Sequence, residues 1–304
     1  MSKQEKVVVT GVAGFIGSTL AEELLKRGYD VIGIDDLSSG SITNIPSGVR
    51  FKRIDISTAP NGLLVDTYED SIFIFHLAAL ARVQLSMKDP IRYNAVNVGG
   101  TLNVLEAARN CTSRPKVIFS SSSSVYGNTN RFPTAEYTTL NPQSPYALQK
   151  QIAEQYCELY NKYFGVPVII LRYFNVYGNK MALTGAYRLA IGIFTEQVMT
   201  GKPLTINGTG ENRRDFTYVG DVVDANIKAA LSDIGFDIFN IGNGDNRSVN
   251  QIAALISNSV THLPPVVEPA ITLADNTYAK TKLNWNPSMK IENWMPQWLA
   301  KHNI

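Results

Sequence analysis

Seven residues near the start of the chain, GVAGFIG from Gly11 to Gly17, join a β-branched run, Val7–Thr10, to a stretch with apolar positions at helical spacing, Phe15–Arg27. Three glycines spaced three apart let the backbone approach a diphosphate closely, while the N–H groups of the following helix point at the negative charge. Gly28 stands where a helix commonly stops, and Asp30–Ile34 reads as the next strand, which completes one β-α-β unit. A tight strand-to-helix turn with no ligand would satisfy the same glycines. Asp35, at the end of that second strand, favours the ligand: a carboxylate there accepts hydrogen bonds from both hydroxyls of an adenosine ribose and repels a phosphate on it. NAD is therefore expected rather than NADP.

The alternation of short β-branched runs with longer helical periods continues through the first 170 or so residues, the pattern of an α/β fold with a parallel sheet covered on both faces. Further strands are predicted at Phe51–Asp55, Ile72–His76, Lys116–Ser121 and Val168–Arg172. Asp55 and Ile56 follow the third strand, placed to meet an adenine, although an acid there also suits a solvated turn. After Phe174 Gly and Pro become frequent and the elements shorter, so residues 1–175 read as the dinucleotide-binding domain and 176–304 as mainly a smaller substrate lobe, with Phe236–Ile241 returning to the first sheet. A chain of 304 residues, 44% apolar, can bury both cores. Its net charge of +2, without basic runs, recommends neither nucleic acid nor a membrane surface as partner. No apolar stretch is long enough to span a bilayer and no signal peptide is legible. Cys111 and Cys157 lie far from any CxxC spacing, as free thiols in a reducing compartment do, which makes the cytoplasm the default; His76, His262 and His302 are too scattered to suggest a metal.

Tyr146 and Lys150 lie four residues apart, on one face of a helix. A phenol with a pKa of ~10 is a poor base at neutral pH. A neighbouring ammonium and a positive nicotinamide ring favour the phenolate and draw that pKa toward the working range. Tyr-x-x-x-Lys also occurs by chance on ordinary amphipathic helices. Here it opens a helix after a serine-rich strand end, FSSSSSVYG, whose Ser122 would sit at the carboxyl edge of the sheet, where open α/β sheets bind ligands. That hydroxyl can hold a reacting sugar oxygen and relay its proton.

GVAGFIG, HLAA (His76–Ala79), SSSSSVYG, YALQK, LRYFNVYG (Leu171–Gly178) and NGTGENRRDFTYVGDVV (Asn207–Val223) follow one another in the order typical of extended short-chain dehydrogenases that act on nucleotide sugars. The chain resembles that family over nearly its whole length, and is most similar to its UDP-glucose and UDP-N-acetylglucosamine 4-epimerase branch. The resemblance implies a Rossmann-type doubly wound sheet with a smaller C-terminal α/β lobe, and Ser122, Tyr146 and Lys150 as the catalytic group. Gly11, Gly14, Phe15, Ile16, Gly17, Asp35, Asp55, Ile56, Leu77, Ala78, Ala79, Asn97, Tyr146, Lys150 and Tyr173 would hold NAD. Arg82, Ser122, Ser123, Asn175, Arg214, Glu268 and Thr272 would hold the UDP-sugar, Asn175 and Arg214 at its diphosphate. A guanidinium suits phosphate, but a salt bridge from Arg214 to Asp215 or Asp221 would also account for it. Members of the group often carry an Arg and, three residues on, an Asp before the LAD segment; here these positions are Pro265 and Glu268, so the second phosphate-binding arginine is missing.

Related dehydratases place an Asp-Glu pair just after the catalytic hydroxyl residue, and decarboxylases keep the Glu; this chain has Ser123 and Ser124 there. Without those acids, a 4-keto sugar is expected to turn over in the site and be reduced on its other face, which is 4-epimerisation. Asp89–Arg109, GAY (Gly185–Tyr187) and the small Thr272 resemble the branch acting on UDP-N-acetylhexosamines, so UDP-GlcNAc and UDP-GalNAc are expected, beside UDP-glucose and UDP-galactose. Thr272 could instead only pack the lobe. A UDP-uronic acid is the alternative substrate, because Arg82 and Arg188 lie in segments placed to face the sugar; a nucleotide-sugar dehydratase is the alternative reaction, and an inactive NAD sensor a further one. The helices around Tyr93–Arg109 and Tyr146–Phe164 carry apolar faces that relatives use for dimerisation, so a homodimer is expected; either face could instead be only core.

Overall fold

Val7, Val8 and Val9 explain the first strand: β-branched side chains fit an extended backbone and alternate between its faces. Val7 and Val9 enter the core on one side of a sheet and Val8 the core on the other. The computed structural model describes residues 4–183, 188–266 and 268–304. Seven strands form one parallel sheet: β1 (Lys6–Thr10), β2 (Asp30–Asp35), β3 (Arg50–Arg53), β4 (Ser71–His76), β5 (Lys116–Ser122), β6 (Val168–Tyr173) and β7 (Phe236–Ile241). Their order is β7-β6-β5-β4-β1-β2-β3. β3 ends two residues before the predicted Asp55, because Asp55 turns the chain: its Oδ1 accepts a hydrogen bond from Ser57 N at 2.8 Å.

Helices cover both faces, as in a doubly wound Rossmann-type fold. α1 (Phe15–Lys26) packs on one side; α2 (Asn61–Tyr68), α3 (Thr101–Asn110) and α4 (Pro145–Phe164) on the other. α5 (Val219–Leu231) joins α1, with Val222, Ala225 and Ile227 buried in the same core. α4 carries its limits in its sequence. The Ser144 hydroxyl accepts from Ala147 N at 3.2 Å, Pro145 takes the first helical position, and Gly165 ends it in the left-handed region at φ 69°.

β1 lies between β2 and β4, so the winding reverses there and a crevice opens outside the carboxyl ends of β1 and β4. Beyond it stands the second lobe, with its own core of Tyr177, Ile191, Phe194, Leu204, Ile206, Ile252, Trp294 and Trp298. A single cut after residue 175 misplaces α5 and Thr277–Trp285: Ala279, Leu283 and Trp285 are buried in the first core. Among the described residues no helix is long and apolar enough to cross a membrane.

Candidate active site

The glycine loop brings three segments into contact with no side chain between them. Gly11 adopts φ +75°, and a Cβ on it would lie 2.8 Å from Ala78 N; a Cβ on Gly17 would lie 2.1 Å from Gly11 O. The loop therefore closes against Leu77–Ala79 at the end of β4, and Gly14 caps α1. At the end of β2, Asp35 Oδ2 accepts from Ala13 N at 3.0 Å and Oδ1 from Leu37 N at 2.8 Å. Burial raises its pKa above the usual carboxylate value, against those two hydrogen bonds. Gly11, Gly14, Asp35, Asp55, Ile56 and Leu77–Ala79 line one hollow. Gly11, Gly14, Leu77 and Ala79 also line a second, with Phe15, Ile16, Gly17, Arg82, Tyr146, Lys150 and Tyr173. A bare backbone cradle at a helix N-terminus, with a carboxylate at the end of the next strand, fits NAD.

The reacting end is built on β5 and α4. Ser122 is the last residue of β5; its Oγ accepts from Ser124 N at 3.2 Å, and its hydroxyl lowers the pKa of the nearby Tyr146 phenol. Lys150 is buried, donates from Nζ to Ser120 O at 2.7 Å and lies 4.8 Å from the centre of the Phe119 ring. Burial brings its pKa down to about 8. The phenol of Tyr146 does not follow the expected direction. Burial raises its pKa, Ser122 pulls it partly back, and Lys150, turned toward the Ser120 carbonyl, is no cause of the shift. Tyr173 shares a hydrogen bond with Ser120 Oγ at 2.9 Å and is held by Asn226. Under the same floor, buried His76 lies between Thr10 Oγ1 and Thr101 Oγ1, at 2.8 and 3.0 Å, with its pKa lowered by burial to about 3.

Other expected residues take less direct places. Buried Asn97 accepts from Leu80 N–H at 2.8 Å and donates to the Leu80 carbonyl at 3.0 Å and to Gln149 Oε1 at 3.1 Å, so it serves the hollow through Leu80. Arg214 is ion-paired with Glu268 at 2.8 Å, neither with Asp215 nor with Asp221. Asp215 instead accepts backbone N–H groups from Asn243, Gly244 and Ala274. Thr272 Oγ1 accepts from Asn175 Nδ2 at 3.1 Å and from Asp215 N at 3.2 Å, so its hydroxyl is a tie within the second lobe. Ser123 lies half-buried in the 3₁₀ turn Ser123–Tyr126. Arg82 donates to the Arg188 carbonyl on the wall of the second hollow. Gly185–Tyr187 lie outside the described residues. The sequence reading missed Ser120, whose carbonyl and hydroxyl hold Lys150 and Tyr173; its only signal was membership of the serine run. It also missed Lys180, which lines the second hollow and pairs with Glu22 at 2.9 Å.

The model of the NAD dependent epimerase/dehydratase family matches residues 7–242. The UDP-glucose 4-epimerase of Mycolicibacterium smegmatis is 36% identical, over 94% of this chain and 95% of its own. The UDP-glucuronate 4-epimerase of Thermodesulfobacterium geofontis is 33% identical, over 98% and 96%. Among solved structures, the UDP-N-acetylglucosamine 4-epimerase of Methanobrevibacter ruminantium, in complex with UDP-N-acetylmuramic acid, superimposes with a TM-score of 0.91 at 33% identity, covering 98% of this chain and 99% of that one.

Proposed function

The chain belongs to the NAD dependent epimerase/dehydratase family, and from that premise we propose that it is an isomerase that inverts carbon 4 of a UDP-hexose, UDP-GlcNAc to UDP-GalNAc first, with UDP-glucose and UDP-galactose beside them. One observation carries the choice of reaction. Among the described residues, the hollow that Tyr146 opens into has no Asp or Glu in its lining. An elimination or another acid-assisted second step lacks its acid there, whereas epimerisation needs none.

Bound NAD supplies reversible two-electron oxidation of a sugar carbon and a positive ring that favours the phenolate. Tyr146 takes the proton of the sugar 4-hydroxyl and returns it, Ser122 holds the same oxygen, and Lys150 fixes the floor beneath them through Ser120 O. Arg214 and Asn175 would grip the UDP diphosphate, a hold remote from the reacting carbon that lets the sugar turn over while it stays bound. Arg214 must then exchange Glu268 for phosphate or share it. A second reading, a UDP-uronic acid as substrate, is favoured by the cationic wall formed by Arg82 and Lys180. We infer further that the protein works in the cytoplasm as a homodimer, joined through the exposed apolar side chains Ile91, Leu148, Leu159 and Tyr163.

The test is incubation with UDP-GlcNAc, UDP-glucose and UDP-glucuronate in turn, with products identified by NMR. The 4-epimer of the first, formed without accumulation of free NADH, is the expected result. A 4-keto product, or stoichiometric NADH, would overturn the reaction. Turnover of the uronate alone would replace the sugar.

A further inference from the structure

Behind the reacting group lies a second set of charges that the proposed reaction does not use. Glu154, one helical turn after Lys150 on α4, forms a two-point ion pair with Arg172 of β6: Arg172 Nε donates to Glu154 Oε1 at 2.9 Å and Nη2 to Oε2 at 2.6 Å. The side chains are only 3% and 5% exposed. Oε1 also accepts from Ser121 Oγ. Arg172 Nη1 donates to Tyr126 Oη at 2.8 Å and to Glu136 O at 3.0 Å, and Tyr126 donates to Asn240 Oδ1 at 2.7 Å. Every charged atom is satisfied. A buried pair of this kind often adds nothing over well-packed apolar residues, so stability is a weak account of it.

Its position gives a better one. Ser121 stands between Ser120, whose carbonyl holds the Lys150 ammonium, and Ser122, whose hydroxyl lies near the Tyr146 phenol. Ser121 is the strand residue between them and itself lines the hollow, so holding its side chain on Glu154 holds the backbone that carries both neighbours. We propose that Glu154 is a positioning residue for the reacting group: anchored by Arg172, it pins the end of β5 through Ser121 and, from one turn along α4, keeps Lys150 as an ammonium seated on Ser120 O.

The inference rests on the reading of Ser122, Tyr146 and Lys150 as the reacting group. The charges around Lys150 support it. Burial lowers the Lys150 pKa, and against it Cys157 and then Glu154 raise it. On α4 the other titratable neighbours are Tyr146 and Cys157, both held neutral by burial. His76 approaches from β4, and burial keeps it neutral as well. Glu154 is faced by Arg172 from β6, by Tyr126 from the turn after β5, and through Arg172 by Glu136.

Glu154→Gln keeps the shape and removes the charge. Lys150 then loses its supporting anion while the Arg172 cation remains, so its pKa falls, and the alkaline limb of kcat moves to lower pH by about one unit. A uniform loss of kcat with the limb unmoved would overturn the proposal, because a purely structural role predicts that. Titration of ¹⁵N-labelled lysine Nζ by NMR, with the Lys150 signal assigned from Lys150→Met, reads the same displacement without turnover. If that displacement is seen while none of the three UDP-sugars reacts, the proposed function fails and the role of Glu154 stands. Should Glu154→Gln not fold, Ser121→Ala leaves the ion pair intact and cuts only its tie to β5. It is expected to lower kcat about fivefold with KM unchanged, the effect of one lost hydrogen bond; kcat equal to wild type would overturn the proposal.

Discussion

At the scale of single residues, the hydroxyl pair Tyr146–Ser122 and the carboxylate of Asp215 make opposite predictions. Tyr146→Phe removes the hydroxyl proposed to take the sugar proton and leaves the packing of α4 in place. Turnover should fall by at least about a hundredfold, the usual worth of a general acid-base, while the purified protein still carries NAD. Asp215 does no chemistry, but its pKa is pushed up to about 6 by burial. The native state therefore holds that proton more tightly than the unfolded chain does. Native stability loses this contribution as pH rises from about 4 to about 6 and stays at the lower level above, a difference of about 3 kcal/mol. Urea midpoints measured over that range should show the decline, and Asp215→Asn should remove it from the profile. At Thr272 the informative substitution is one that keeps the shape. Because its hydroxyl serves Asn175 and the Asp215 amide, a tyrosine would break those ties for every sugar alike. Thr272→Val, which keeps the shape, is expected to raise KM severalfold for every UDP-sugar accepted, about 1 kcal/mol for the lost bond.

At the scale of elements, the loop between β1 and α1 sets the sharpest limit. A methyl on Gly17 would collide with the Gly11 carbonyl at 2.1 Å, whereas on Gly14 it would meet the same oxygen at 3.2 Å. Gly17→Ala should abolish NAD retention, measured as cofactor released on denaturing the purified protein, and Gly14→Ala should reduce it less. The strands were legible in advance because a buried parallel sheet needs continuous β-branched and apolar runs, and Val7–Val9, Ile72–Phe75 and Val168–Leu171 supply them. The spacing also foretold that Gly11 and Asp35 would share one hollow and that Tyr146 and Lys150 would share another. What could not be read was pairing across distant segments. Nothing in the spacing of Arg214 and Glu268, or of Thr272 and Asn175, announces which side chain meets which. Nor could a charge argument from Lys150 alone foresee that its ammonium turns to a backbone carbonyl and leaves burial to govern the phenol.

At the scale of the whole molecule, association and unfolding follow from where apolar surface lies. Ile91 is 83% exposed and Tyr163 66%, on helices whose other faces are buried. Sedimentation should give a mass twice that of the 33.5 kDa chain, and charged residues at Ile91 and Leu148 together should return it to a monomer. The course of the backbone carries a separate consequence. The chain leaves the sheet after β6, comes back for α5 and β7, departs again, returns with Trp285 and finishes among Trp294 and Trp298. Stitched together in this way, the two halves share their fate: no protease cut at one linker would release a piece able to stand by itself, and heating should melt both in a single cooperative transition.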